Sequence, residues 1–150
     1  MSKVLITKEY TWDMSHMLAG HKDLCRNLHG HTYKMQVKIY NKFDPLCNFQ
    51  DMVMDFKDLK KLVHTEVIER FDHAFAYWKN SNDKVELEIA SLLKKNNRKI
   101  VELEFRPTAE KLVVFLKEIL SELFEKNGFE LKEVRLWETP TSYAEIVVED

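Results

Sequence analysis

From His29 to Tyr40 the chain reads HGHTYKMQVKIY, and every second residue (His29, His31, Tyr33, Met35, Val37, Ile39) is apolar or carries an imidazole. Side chains two apart on a strand leave from the same face, so this alternation predicts a strand with one buried and one solvated face. A sheet that buries the apolar stripe must carry both histidines inward with it, because a one-residue slip would send the whole stripe to the solvent side. Gly30 between them leaves room for another group to come close.

An N-terminal strand is expected over residues 3 to 12, where β-branched and aromatic residues are frequent. Its even-numbered residues Tyr10, Trp12 and Met14 lead in phase to His16 if the extended conformation persists that far. Two neighbouring strands then offer three imidazoles. Three neutral histidines leave the fourth position of a zinc ion open, as in sites that bind water or substrate, whereas structural zinc is usually closed by four ligands rich in cysteine. Spacing alone leaves two other readings open: HGH as a turn with solvated histidines, and Cys25 as a fourth ligand closing a structural site. His21 and His64 read as structural or solvent-facing.

Apolar residues at helical spacing from Phe56 to Phe71 predict an amphipathic helix, and a second is expected over 84 to 96, followed by a strand over 99 to 105. A third helix begins after Pro107 with Thr108 as N-cap and stops at Asn127-Gly128. Strands at about 131 to 138 and 143 to 148 complete the order ββααβαββ. That order predicts an α+β fold, an antiparallel sheet backed by helices on one face, in a single domain over residues 1–150. The chain has 150 residues, 45% of them hydrophobic, enough for one sizeable core.

A net charge of -2 from 25 acidic and 23 basic residues, with no basic blocks, argues against a general nucleic-acid binder. No apolar run approaches the roughly 20 residues that span a bilayer, and MSKVLITKEYTW lacks a secretory hydrophobic stretch. A soluble cytoplasmic protein without membrane or nucleic-acid partners is therefore expected. Cys25 and Cys47 read as free thiols in a reducing compartment.

Six segments in order resemble the 6-pyruvoyl-tetrahydropterin synthase superfamily, nearly end to end. They are WDMSH at 12 to 16, CRNLHGHTY at 25 to 33, MVMDFKDLKK at 52 to 61, FDH at 71 to 73, PTAEKL at 107 to 112 and WET at 137 to 139. The three residues between Cys25 and HGH resemble the branch of the queuosine pathway that forms 6-carboxytetrahydropterin. The segment AFAYWKNSND departs from the family by lacking the usual Leu-Asn, and residues 79 to 104 exceed the compact bacterial pattern.

The resemblance implies the tunnelling fold, with subunits forming a trimeric β-barrel and two trimers stacking into a homohexamer with pockets between subunits. It implies Zn2+ on His16, His29 and His31, and a pterin substrate, 7,8-dihydroneopterin triphosphate. The product would be 6-carboxy-5,6,7,8-tetrahydropterin, with acetaldehyde and triphosphate released. Cys25 would be the proton acceptor, with His73 its partner and Asp72 orienting His73. Glu138 would accept hydrogen bonds from the pterin amino and ring N–H groups and join the proton relay. Thr108 and Glu110 read as N-cap and first-turn acid, with a substrate-pocket role added by the resemblance. The alternatives are a 6-pyruvoyltetrahydropterin synthase on the same fold and a noncatalytic metal- or pterin-binding protein.

Overall fold

Strand β1 (Ile6–His16) pairs antiparallel with β2 (His29–Asn41) from Ile6↔Ile39 to His16↔His29 in the computed structural model, which describes residues 2–149. The extended conformation thus persists past residue 12 to His16. Directly opposed residues project to the same face, so Trp12 stands against Tyr33 and Met14 against His31. This face is the core: Tyr10, Trp12, Met14, Tyr33, Met35, Val37 and Ile39 are all buried.

The expected helix from Phe56 to Phe71 is α1 (Phe56–Val63), a π-helical turn (His64–Ile68) and α2 (Glu69–Phe71) in succession. Asp55 caps its start by accepting from Lys57 N at 2.8 Å. Leu59, Val63, Val67 and Phe71 are buried as their spacing predicts, but Phe56 is 53% exposed. Helix α4 (Ala109–Lys126) begins at its expected cap, with Thr108 Oγ1 accepting from Lys111 N at 3.2 Å. It ends where Gly128 takes φ +83. Leu112, Leu116, Leu120 and Phe124 on its inner face are fully buried, each stabilising the fold by about 1.5–3 kcal/mol.

Between α2 and α3 (Lys84–Lys95) lies an unexpected strand, β3 (Ala74–Trp78), parallel to β1 and to β4 (Ile100–Leu103). Strands β5 (Phe129–Thr139) and β6 (Ser142–Val147) complete one sheet in the order β4-β3-β1-β2-β5-β6. The sheet is therefore mixed rather than antiparallel, and the order ββααβαββ gains a strand after its first helix. A parallel neighbour needs a crossover connection, and α3 supplies it between β3 and β4. Ala74 and Ala76 join the main core, while Phe75 and Tyr77 alternate to the other face and pack with Ala90 of α3 and Met17. One helix thus covers the face opposite α1 and α4, which corrects the expectation of helices on one side only. The sheet is open, with β4 and β6 at its edges.

Candidate active site

The β1–β2 register brings His16, His29 and His31 to one end of the core face, with one ring nitrogen of each within 4.8 Å of the others. His16 is fully buried and Nδ1 donates to the Pro107 carbonyl at 2.8 Å, with the Tyr33 hydroxyl 3.4 Å away. His29 Nδ1 donates to the Asn27 carbonyl at 2.7 Å. A carbonyl only accepts, so both Nδ1 atoms carry the proton and both Nε2 atoms present lone pairs when the rings are neutral. Those two Nε2 atoms stand 3.1 Å apart. Two acceptors at that distance repel unless a cation or shared proton lies between them.

His31 completes the argument, because its Nε2 is buried without a hydrogen-bond partner. The Glu138 carboxylate is 3.8 Å from it, near enough to act through its charge and too far for a hydrogen bond. Burial pushes the His16 imidazole down to about 4, with His29 and His31 acting in the same direction and the Pro107 carbonyl opposing. Burial also lowers His31, against the pull of Glu138. Three ring nitrogens that converge, two of the imidazoles having the second nitrogen on a backbone carbonyl, make the donor set of a zinc site with an open position. The three residues fit that ion.

Glu138 sits at an irregularity in the β5–β6 pairing between Trp137 and Thr139. It lines a cavity of about 530 Å³ with His31, Lys34 and Trp137, and Lys34 Nζ lies 4.1 Å from the centre of the Trp137 ring. Cys25 lies on a 3-10 turn (Leu24–Arg26) in the β1–β2 connection, half-buried, with its carbonyl accepting from Leu18 N at 2.9 Å. The loop that carries the thiol is thus the one that joins His16 to His29. Thr108 follows Pro107, whose carbonyl holds His16, so the helix cap and the histidine cluster are neighbours through one residue. Glu110 is exposed in the first turn of α4.

Asp72 and His73 come together with Asp13. The His73 N–H donates to the Asp13 carbonyl at 2.7 Å, Asp72 Oδ1 accepts from Asp13 N at 3.1 Å, and the Asp72 carboxylate is 3.7 Å from His73 Nε2. The Thr32 hydroxyl donates to Asp13 Oδ1 at 2.5 Å. Asp13 Oδ1 and Asp72 Oδ1 are each engaged by a protein donor, which makes the Asp13-Asp72-His73 group a hydrogen-bonded elbow whose ligand atoms also lie within 4.8 Å of one another. His73 lines a hollow of about 370 Å³ with Asp13, Ser15, Gly30, His31 and Thr32. Strand alternation turns the side chains of Asp13, Ser15 and Thr32 away from the three histidines. Among the described residues no hydrogen bond or ion pair joins His73 to Cys25. The structure gathers the three histidines with Glu138, and His31 also lines the hollow beside which His73 stands.

Two contributors carried no sequence signal of their own: the Pro107 carbonyl and the backbone N–H and carbonyl of Asp13. Residue type does not mark a backbone group. Tyr33 was legible as the next buried position after His31.

A family model described as 6-pyruvoyl tetrahydropterin synthase matches residues 5–149. The 6-carboxy-5,6,7,8-tetrahydropterin synthase of Haemophilus influenzae is 42% identical over 140 residues, covering 93% of this chain and 96% of the relative. The protein of the same name from Rickettsia bellii is 34% identical over 143 residues, covering 93% and 97%. Among solved structures, an uncharacterized protein from Wolinella succinogenes superposes with a TM-score of 0.76 at 22% identity, covering 97% of this chain and 98% of that one. The 6-pyruvoyl tetrahydropterin synthase of Caenorhabditis elegans gives 0.63 at 20% identity, covering 99% and 98%. The two structures share the fold.

Proposed function

The chain belongs to the 6-pyruvoyl tetrahydropterin synthase family, and we propose that it is a zinc-dependent lyase of that family's carboxy-forming branch. It converts 7,8-dihydroneopterin triphosphate to 6-carboxy-5,6,7,8-tetrahydropterin, releasing acetaldehyde and triphosphate, on the route to queuosine in the cytoplasm. The observation that carries this reading is the convergence of three histidine nitrogens, one buried without a partner, beside Glu138. The match with relatives named for this product supports the choice of branch.

His16, His29 and His31 hold the zinc, which when bound supplies Lewis-acid polarisation of the substrate's side-chain hydroxyls. Glu138 accepts from the pterin amino and ring N–H groups, fixing the ring at the mouth of the cluster. Cys25, as thiolate, removes a proton from the substrate side chain. His73 exchanges that proton with Cys25, and Asp72 orients the imidazole. Thr108 still has its hydroxyl proton to donate after accepting from Lys111 N, and it would contact substrate together with Glu110.

In this reading the site is shared between copies, with His73 and Asp72 of one subunit serving Cys25 of a neighbour. Open edges at β4 and β6 favour such assembly, since closing them against other copies satisfies their backbone groups. A trimeric barrel, stacked in pairs to a hexamer, has the required symmetry. The test is to incubate zinc-loaded protein with 7,8-dihydroneopterin triphosphate and identify the products by mass spectrometry. 6-Carboxytetrahydropterin with acetaldehyde is expected. 6-Pyruvoyltetrahydropterin would move the chain to the sister activity, and binding without turnover would leave a noncatalytic pterin protein.

A further inference from the structure

We infer that Lys99 is a positioning residue for His73, reaching it from the α3–β4 segment that exceeds the compact family pattern. The inference rests on the role proposed above for the Asp72–His73 pair. Helix α2 ends at Phe71, Asp72 turns to extended backbone, and His73 takes φ +64, a left-handed conformation that a non-glycine residue holds only when its surroundings impose it. A helix end leaves carbonyls without partners, and a lysine is one of the groups that satisfies them. Here Lys99 Nζ donates to the Glu69 carbonyl at 2.6 Å and to the Asp72 carbonyl at 2.5 Å.

The carbonyl of the same residue accepts from Phe75 N at 3.2 Å. Lys99 therefore grips the chain on both sides of His73, at residue 72 through its ammonium and at residue 75 through its backbone. The bond from His73 N to the Asp13 carbonyl fixes the elbow against β1. Without the ammonium, the Asp72 peptide loses its constraint towards β4, and the imidazole that must reach a neighbouring subunit loses its aim. Small misplacements of a proton-transfer group are costly in rate even where the fold is intact. The Lys99 side chain is exposed, so its replacement spares the packing.

The experiment measures kcat and KM of the assembled, zinc-loaded protein as wild type, Lys99→Met, Lys99→Arg, His73→Ala and the Lys99→Met/His73→Ala double variant. Lys99→Met is expected to lower kcat roughly 10- to 100-fold with KM within about twofold. Lys99→Arg, which keeps a cationic donor, is expected to recover most of it. The double variant should turn over within about twofold of His73→Ala alone, because Lys99 acts through His73. Losses that multiply in the double variant, wild-type kcat in Lys99→Met, or loss of zinc or assembly in Lys99→Met would each overturn the inference. Wild-type kcat in His73→Ala would instead overturn the site reading on which it rests.

Discussion

His16 is the most constrained of the three histidines, fully buried with one nitrogen fixed by Pro107 and the other facing His29. Its imidazole titrates near 4 rather than 6.5, so between these values the unfolded chain binds a proton that the folded chain refuses. Its contribution to stability is present above pH 6.5 and is lost as pH falls through about 4, amounting to about 3 kcal/mol at most. Urea titrations of metal-free protein should therefore show stability falling across that window, and His16→Gln should flatten the slope. An unchanged slope would contradict the burial argument. Metal analysis should find about one zinc per subunit, and much less in His29→Ala and His31→Ala; a full zinc complement in both would remove the metal centre. The three histidines were legible because the strand period runs through them. The contacts of Asp72 and His73 with Asp13 were not, since a short motif does not say which distant strand it will meet. Lys99 was illegible because it works on carbonyls that every residue possesses.

Gly30 stands between the two proposed ligands His29 and His31 on β2, opposite Ser15 on β1. A Cβ there would meet the Met14 carbonyl oxygen at 3.2 Å, a backbone atom with little freedom to retreat. Gly30→Ala should push the strands apart by a few tenths of an ångström and spoil the convergence of His16 with His29 and His31. Chelator competition should then show zinc affinity lowered by about tenfold, in the range found when a ligand's support is lost, with the protein still folded. Equal affinity in wild type and variant would show that the hairpin yields at no cost to the site. The caps at Thr108 and Gly128 and the alternation of β2 made their elements readable. Strand β3 escaped because AFAYW packs on both faces, so it shows no period of two and is too short to betray itself otherwise. Parallel pairing followed from that missing strand and was missed with it.

Across the whole molecule, a shared site predicts complementation. Cys25→Ala and His73→Ala should each be nearly inactive alone. Unfolded together, refolded and reassembled with zinc, they should regain about a quarter of wild-type turnover, the share of sites in which random pairing unites both intact groups. No recovery, with mixed assemblies confirmed by mass, would place the reaction within one subunit. The architecture as α+β was legible from element order, but the open edges and crossover helix are properties of pairing partners far apart in sequence. The β1–β2 register carries one last consequence. A slip of one residue would turn both β2 histidines away from His16. On the proposed zinc site, only a correctly threaded hairpin would capture the ion, so zinc uptake would double as proofreading: chains that mispair early in folding would be left without the clasp that locks the native pairing in place.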